Sequence, residues 1–397
     1  MRQIFNFKFL SGIEQIDSKC WNDIATNSDP FHQYAFIEAL ERSKSVESKT
    51  GWHPQHLTIY QNEDLIGILP LYTKNHSYGE YVFDFAWANT YREYGLNYYP
   101  KLISAIPFTP VTGARLMLKA GVNESELMPQ LCKAIQKYVL QNRLSSIHWL
   151  FVPESISYSL NEQQHMTRRA VQFQWFNRNY QSYDDFGAVL TSRRRKSIRN
   201  ERRKVKEQNV EVERVYSGSI TLEHIDFFYQ CYQQTYLKRS GHQGYLNREF
   251  FTRLYHSMPD NIMLVMASRN DEFIASALYL YDDKQLYGRY WGAMEDVNNL
   301  HYECCYYQGI EFCIEQNIST FNPGTQGEHK ILRGFEPIFC YSNHWLAEPA
   351  FHDGVKRFLK QEDAGIVSYK KMPANCCHLN QSKSMIVSPT HPKIRGA

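Results

Sequence analysis

Residues 261–291 read NIMLVMASRNDEFIASALYLYDDKQLYGRYW. Two apolar runs, 262–267 and 273–281, lie on either side of an Asn-Asp turn at 270–271, and a third run follows at 285–291. Short runs rich in β-branched and aromatic residues, separated by turn residues, are typical of consecutive antiparallel strands. This stretch therefore predicts the centre of an antiparallel sheet in the C-terminal half of the chain.

The elements around this stretch are repeated in the N-terminal half. A helical pattern at 227–238 precedes the three runs, and a second one at 302–316 leads to a short strand at 319–321. The N-terminal half has the same order of helix, hairpin, strand, helix and strand, at 34–43, 56–72, 81–85, 126–142 and 147–151. Strands joined by short turns are antiparallel, whereas the late helix crosses over to a parallel neighbour.

This order, found twice, matches the GNAT N-acetyltransferase fold, a mixed sheet with a V-shaped opening between its middle strands. We therefore expect a mixed α+β (α/β) protein of two tandem GNAT-like domains, each with a mixed, mostly antiparallel sheet flanked by helices. The predicted domains are residues 1–180 and 181–370, and the second opens with a basic helix. Prolines without periodicity predict a loosely ordered tail at 371–397.

Composition narrows the class of protein. Of the 397 residues, 43% are hydrophobic and 21% are charged, which suffices for folded cores and excludes a disordered chain. The longest stretches without a charge have 13 residues, too short for a membrane-spanning helix of about 20. The nine cysteines form no C-x-x-C pair, so we expect reduced thiols and no metal site. The composition thus predicts a soluble, cytoplasmic protein without a transmembrane segment.

Positive charge is concentrated in one segment. From Thr191 to Lys206 there are nine Lys or Arg residues and one acid, Glu201, so nine minus one gives +8 in a chain whose net charge is +3. Ser182 and Asp185 resemble a capping box that starts a helix through this segment. The helix is either a solvated surface or an anion site for coenzyme A, a tRNA backbone or a lipid-linked diphosphate. Its candidate phosphate-binding residues are Arg193, Arg194, Arg195, Lys196 and Arg199.

Eight strings of sequence carry a family resemblance. They are HSYGEYVFD (76–84), YYPKL (98–102), PFTPVTG (107–113), LYGRYWG (286–292), LHYE (300–303), QGEHK (326–330), RGF (333–335) and SNH (342–344). Together they resemble the FemAB-like family of predicted N-acyltransferases, from about Asp29 to Glu362. The resemblance implies tandem GNAT-like domains and kinship with enzymes that attach amino acids to cell-wall peptides. The family usually has an acid where this chain has Asn322 and a histidine where it has Tyr94, so no base is available at 322.

The richest candidate segment for chemistry is 322–330, which begins where a strand ends. Acyl transfer to an amine needs a proton acceptor and donors for an oxyanion. Glu328 or His329 could be the general base, and Gly327 would let the backbone approach a ligand closely. Lys330 and Arg333 would neutralise a phosphate or carboxylate. The alternative is a glycine turn with a capping glutamate and surface cations.

Two further groups are candidates for substrate binding. Arg289, Tyr290 and Trp291 border the predicted opening, where Tyr290 could protonate a leaving group, although alternating aromatics on a central strand are also ordinary core residues. Glu303 on the next helix needs a partner, for which Arg289 is the expected residue. In the N-terminal half, Glu80, Asp84 and Arg92 lie among aromatic residues. They form either an acceptor cleft or a buried ionic cluster.

These residues predict an N-acyltransferase that moves an acyl or aminoacyl group from a thioester or a tRNA ester to a small-molecule or peptide amine. No cofactor is firmly implied, and acyl-CoA and aminoacyl-tRNA are the possible donors. Residues 293–300 stand where acetyl-CoA-using GNAT enzymes have a glycine-rich pyrophosphate loop, yet here they are acidic and lack glycine, which favours a tRNA donor. The alternative function is a non-catalytic binding module for nucleic acid or an anionic cell-wall precursor.

Overall fold

A computed structural model describes residues 4–26, 29–325 and 327–371, so residues 372–397 of the predicted tail lie outside the described part. The helices are α1 (Ser18–Ala25), α2 (Tyr34–Arg42), α3 (Phe85–Glu93), α4 (Glu124–Gln141), α5 (Glu154–Glu162), α6 (Tyr183–Val189), α7 (Ser192–Lys206), α8 (Leu222–Ser240), α9 (Arg248–Ser257), α10 (Leu300–Tyr302), α11 (Gln308–Glu315) and α12 (Pro349–Lys371). A π-helical turn, Glu303–Tyr307, joins α10 to α11.

The strands are β1 (Phe5–Leu10), β2 (Trp52–Pro54), β3 (His56–Gln61), β4 (Asp64–Leu69), β5 (Tyr72–Lys74), β6 (Lys101–Ser104), β7 (Met117–Leu118), β8 (Ser146–Val152), β9 (Met166–Phe176), β10 (Glu211–Tyr216), β11 (Ile262–Arg269), β12 (Glu272–Tyr281), β13 (Gln285–Ala293), β14 (Thr320–Asn322) and β15 (Glu336–Leu346). Among the described residues they form a 4-stranded sheet, β1-β3-β4-β7, and an 11-stranded sheet, β10-β11-β12-β13-β14-β9-β15-β8-β6-β5-β2.

The large sheet is mixed and mostly antiparallel, as predicted. Its parallel pairs are β13 with β14 and β6 with β8. The chain crosses between the members of each pair through helices, α10 and α11 in the C-terminal half and α4 in the N-terminal half. Each half therefore contains the parallel pair with a helical crossover that the repeated order of elements predicts.

The two halves exchange strands. Strand β9 of the N-terminal half pairs with β14, and β15 of the C-terminal half pairs with both β8 and β9. They also share a core, because Phe31 packs edge-to-face on Tyr287 with ring centroids 5.0 Å apart, and Phe36 packs on Phe250 at 5.6 Å. The sheet thus continues across the boundary predicted between residues 180 and 181, and the division into two domains stays a prediction.

Three local predictions were wrong. The second strand of the hairpin predicted at 56–72 is broken at Pro70, which has no N–H for a sheet ladder. The chain therefore leaves the small sheet there and enters the large one as β5. In place of the strand predicted at 81–85, residues 81–84 form a loop and Phe85 begins α3; Tyr81 has a φ of +60° that no strand allows. The single helix expected after Ser182 is two, α6 and α7, because Thr191 caps a new helix by accepting from the Arg194 amide at 3.4 Å.

The last helix, α12, lies across β9 and β15 and is held there by ion pairs. Arg168 makes two hydrogen bonds of 2.8 Å to Glu362, and Arg169 pairs with Asp363. The final turn of α12 reaches the segment after β14. None of the helices in the described part of the chain combines the length and apolar character that crossing a bilayer requires.

Candidate functional site

The candidate site lies where β13 and β14 part. Their parallel pairing ends at Tyr287 and Asn322. Gly288 lies against the turn that follows β14, because a Cβ on Gly288 would be 3.4 Å from the Cα of Pro323. The Oδ1 of Asn322 accepts a hydrogen bond of 3.0 Å from the Gly324 amide and so closes this turn. The V-shaped opening between the middle strands is predicted for the point where this pairing ends, and we call this point the opening.

The π-helical turn next to this opening is stabilised by an ion pair between its first residue and α7. Glu303, its first residue, is buried and accepts hydrogen bonds of 2.9 and 3.0 Å from Arg202 and one of 2.8 Å from Gln308. Arg202 also donates to Glu311 at 2.7 and 3.1 Å. The expected pairing of Glu303 with Arg289 was wrong, because α7 brings Arg202 onto this carboxylate. A π turn adds one residue to a helical turn and is frequent at functional sites.

His329 and Tyr306 form a hydrogen-bonded pair in the segment after β14 and the neighbouring π-helical turn. The His329 Nε2 and the Tyr306 hydroxyl lie 2.8 Å apart. Burial lowers the pKa of His329 below its ordinary value, and the cations of Arg333 and Lys330 lower it further. Burial raises the pKa of Tyr306, so its hydroxyl stays protonated. A neutral imidazole beside a phenol can take a proton and pass one on.

Lys330 is a buried lysine, only 2% exposed, in the same segment. Its Nζ donates a hydrogen bond of 2.8 Å to the carbonyl of Gly324, in the turn that follows β14. Burial lowers the pKa of Lys330 to about 7, and Cys305 acts in the opposite direction. Near neutral pH the side chain therefore exists both as an ammonium ion and as an amine.

Arg333 positions these groups. Its guanidinium carbon lies 3.5 Å from the ring centroid of Tyr302, and its nitrogens donate to the Glu201 carboxylate and the Tyr307 hydroxyl at 2.9 Å each and to the His329 carbonyl at 2.8 Å. A substrate phosphate at Arg333, as the sequence predicted, would have to displace Glu201. In this structure the guanidinium holds the 3-10 helix Glu328–Arg333 in place.

The side chains of Glu328 and His329 contact different parts of the protein. Glu328 is exposed, and its Oε1 accepts a hydrogen bond of 2.8 Å from the Tyr369 hydroxyl of α12. The structure therefore does not bring this carboxylate together with the His329–Tyr306 pair. Gly327 has a φ of +116°, and a Cβ there would be 2.2 Å from His329 Cε1, so the residue before Glu328 must be glycine for His329 to keep its position.

His301 was missed from the sequence, although it lies in the LHYE string. Its ring is 5.7 Å from Trp291, 5.4 Å from Tyr306 and 6.4 Å from His329, centroid to centroid. Burial lowers the pKa of His301 to about 4, and the cationic groups around it, including Arg239, add to this. The signal that could have found it is its place in the LHYE string, directly before Tyr302.

Arg289 and Tyr290 lie on the opposite face of β13 from Trp291. Tyr290 packs on Tyr232 at 5.2 Å in the core shared by the two halves, whereas Trp291 belongs to the core on the His301 side. Burial raises the pKa of Tyr290, against the effect of Arg289. The structure therefore separates Tyr290, the predicted proton donor, from His329 by the thickness of the sheet.

Of the two alternatives for the N-terminal group, the structure shows the buried ionic cluster. The Lys101 ammonium donates to Glu80 at 2.8 Å and also pairs with Asp84. Burial raises the pKa of Glu80 to about 7; it also acts to raise that of Asp84, but the Lys101 ammonium outweighs it and lowers the Asp84 pKa to about 2. Including Arg92 was wrong, because it is exposed on α3 and bonds to Asn89 at 3.0 Å. Lys101, which holds the cluster, was missed.

The basic helix α7 has an inner and an outer part. Arg202 is turned inward onto Glu303, whereas Arg199 is exposed and lies 3.6 Å from the exposed Asp184. Residues 193–196, in the first turn and a half, make no ion pair with any carboxylate of the described chain. The predicted phosphate-binding cations are thus available at one end of the helix.

Two GNAT-like units that share one sheet, with an opening between parallel strands, define the chain as a tandem GNAT-fold protein. It belongs to the FemAB-like family, described as peptidoglycan biosynthesis/recognition, whose model matches residues 12–377. The resemblance of the eight sequence strings is thereby confirmed. No curated protein gives a significant match to the chain.

Solved structures share the architecture at low identity. FemX is 10% identical with a TM-score of 0.53, covering 86% of this chain and 98% of its own. A conserved protein of unknown function from Bacteroides thetaiotaomicron is 10% identical with a TM-score of 0.51, covering 86% and 100%. A tandem GNAT protein from the clavulanic acid biosynthesis pathway, 8% identical over 87% and 99%, has a TM-score of 0.44, too low to support an argument. At such identities the likeness shows the fold alone.

Proposed function

We propose that this chain is an acyltransferase that moves an acyl or aminoacyl group from an ester or thioester donor to an amine, with the reacting carbonyl in the opening between β13 and β14. The observation that carries the proposal is that one short segment after β14 holds both the neutral His329–Tyr306 pair and buried Lys330, whose Nζ bonds to the Gly324 carbonyl and whose charge acts on His329. Acyl transfer to an amine needs a proton acceptor and a donor for the oxyanion, and these residues supply both. Membership in the FemAB-like family supports an acceptor from peptidoglycan metabolism.

In the proposed reaction the amine nitrogen bonds to the carbonyl carbon, and the C–O or C–S bond to the carrier breaks. His329 takes the proton of the amine. The Tyr306 hydroxyl gives its proton to the departing oxygen or sulfur and regains one from His329, so no proton is gained or lost overall. Lys330, as the ammonium ion, stabilises the negative oxygen of the tetrahedral intermediate.

The charge around the opening favours a donor with a nucleic-acid backbone over coenzyme A. Residues 293–300, where a coenzyme A pyrophosphate would lie in other GNAT enzymes, present the exposed carboxylates of Glu295 and Asp296, and Glu295 pairs with Arg269 at 2.6 Å. Like charges here would repel a pyrophosphate. The unpaired cations at 193–196 can instead hold backbone phosphates, so an aminoacyl-tRNA is the proposed donor.

One observation favours the second candidate, a non-catalytic binding module. With Asn322 at the end of β14 and Glu328 turned outward, neither of these positions supplies a carboxylate base to the opening. A module of this kind would use the same opening and the cations at 193–196 to hold a nucleic acid or an anionic precursor without reaction.

A transfer assay separates the two. The full chain is incubated with peptidoglycan precursors and either total tRNA charged with ¹⁴C-amino acids or [¹⁴C]acetyl-CoA, and covalent products are analysed by mass spectrometry. We expect product from charged tRNA, its loss in Lys330→Met, and a reduced rate at about 150 mM salt when residues 193–196 are changed to glutamine. Precursor binding without product from any donor would establish the binding module instead.

A further inference from the structure

Arg289 is a half-buried cation without an acidic partner. Its guanidinium carbon lies 5.5 Å from the ring centroid of Phe31 and 5.2 Å from that of Tyr290, and one nitrogen donates to the Phe108 carbonyl at 2.7 Å. No carboxylate of the described chain pairs with it, whereas the half-buried Arg202 and the buried Arg333 both pair with glutamates. Because a desolvated charge is unfavourable unless it is compensated, the guanidinium is in position for an anion from outside the chain.

The backbone around Arg289 is strained at two bulky residues. Phe108, which accepts from Arg289, has a φ of +58°, and Tyr81 has a φ of +60°. Tyr81 lies beside Tyr290 and Arg289, and its hydroxyl interacts with that of Tyr236. Non-glycine residues held in this region of backbone space cluster at ligand sites. The strain therefore points to this junction between the halves as a binding surface.

The loop that carries Tyr81 is fixed by polar contacts with Lys101. This buried ammonium donates hydrogen bonds of 2.8 Å to Ser77 and Glu80 and pairs with Asp84, so it fixes both ends of the loop. Lys101 is thus a positioning residue for Tyr81. Such support keeps the walls around Arg289 preorganised for a ligand.

The charge of the surface indicates which anion it takes. Burial raises the pKa of both Tyr81 and Tyr290, and the charge of Arg289 acts to lower both. One guanidinium, with its remaining N–H groups in a planar fork, matches one carboxylate in charge and shape, whereas a diphosphate needs several cations. The flanking aromatic rings would cover the carbon atoms next to the carboxylate.

We infer that Arg289 binds the carboxylate of the amine acceptor, so that the acceptor is an amino acid or a peptide with a free carboxylate. The assignment as acceptor rests on the proposed function, but carboxylate binding at Arg289 does not. The adjacent Gly288 lies against the Pro323–Gly324 turn whose carbonyl holds Lys330, so a ligand anchored at Arg289 begins one residue from the opening.

Isothermal titration calorimetry on the full chain tests this. The probes are the standard amino acids and diglycine, each beside its C-terminal amide, together with phosphoethanolamine as the phosphate counterpart. We expect at least one acid to bind about tenfold or more tighter than its amide, as for hydrogen bonds to a charged group. Arg289→Met should bring this ratio to about one and Arg289→Lys should leave part of it, whereas Arg357→Met, at an exposed position on α12, should not change it.

Each other outcome overturns the inference. No binding by any acid, equal binding of acids and amides, or an acid preference that survives in a folded Arg289→Met protein would exclude a carboxylate site at Arg289. Tighter binding of phosphoethanolamine than of every acid, lost in both Arg289 variants, would assign the site to phosphate. Lys330→Met should keep the acid preference although it abolishes transfer. An acid preference in a wild-type chain that transfers nothing from any donor refutes the proposed function and leaves this inference standing.

Discussion

Replacing Lys330 with methionine should make the protein more stable while it abolishes transfer. The lysine is 2% exposed, and burial lowers its pKa from 10.5 to about 7. At neutral pH the unfolded chain carries this proton fully and the folded chain only in part. Folding therefore releases part of a proton, which lowers the free energy of unfolding. A methionine of similar length has no proton to release and does not lower it.

The magnitude follows from the two pKa values. At pH 7, the shift from 10.5 to about 7 corresponds to about 4 kcal/mol of lost stability. Methionine also loses the hydrogen bond to the Gly324 carbonyl, which is worth about 1 kcal/mol. The net expectation is a gain of about 3 kcal/mol at pH 7. Because the folded-state pKa is the lower one, the wild-type chain gains stability as pH rises from about 7 toward 10.5, so the gain of the variant should shrink to about zero near pH 10.

Urea unfolding followed by circular dichroism, at pH 7 and near pH 10, measures both values on the same transition. Lys133→Met, an exposed lysine on α4, is the matched control and should change stability by less than about 0.5 kcal/mol at either pH. A Lys330 variant that is less stable at pH 7, or a stability difference that does not depend on pH, would refute the argument that burial shifts this pKa.

The remaining predictions concern the proton pair and the π-helical turn. Tyr306→Phe should lower kcat by about a hundredfold with little change in KM in steady-state transfer assays, because only the proton relay is removed; an unchanged kcat would exclude the relay. The pH profile of kcat/KM should rise as His329 loses its proton below pH 6.5 and fall through about 7 as Lys330 loses its own, giving a narrow bell; a plateau to pH 9 would exclude an ammonium role. Arg202→Met leaves Glu303 buried without its partner and should cost about 3–5 kcal/mol in urea unfolding, and a loss below about 1 kcal/mol would show that the turn is held by packing.

Most helices and strands could be predicted from short stretches of sequence. The predictions that failed depend on contacts between residues far apart in the chain. The hairpin of β11 and β12 follows from two apolar runs around a short turn, and each feature lies within the same 20 residues. By contrast, the alternating aromatics at 81–85 resemble a strand, but Glu80 and Asp84 on either side of them pair with Lys101, and the segment between them forms a loop. No window of sequence shows that pairing, and the exchange of β9 and β15 between the halves is equally non-local.

The location of the site stays a prediction, and only part of the contacts around the candidate residues could be predicted from the sequence. The glycine-bounded segment after β14 contains His329 and Lys330, as expected. Glu328 was misplaced because successive side chains on a 3-10 helix diverge by about 120°, so a carboxylate and an imidazole that are adjacent in sequence face different surroundings. The partner of Glu303 was also misjudged, since Arg202 comes from a helix about a hundred residues earlier, and charge alone could not distinguish it from Arg289.

The strand exchange constrains how a substrate reaches the opening. Rotating the two halves apart would break the pairing of β14 with β9 or of β15 with β8, and the β15–β9 ladder alone runs from Glu336 opposite Gln174 to His344 opposite Met166. A hinge near residue 180 would therefore cost a row of backbone hydrogen bonds, each worth about 1 kcal/mol. Strand β13 meanwhile presents Trp291 to the His329 side and Arg289 to the junction of the halves. On the proposed function, donor and acceptor would approach this strand from its two faces, and their reacting groups would meet beside Gly288, where the pairing with β14 has ended.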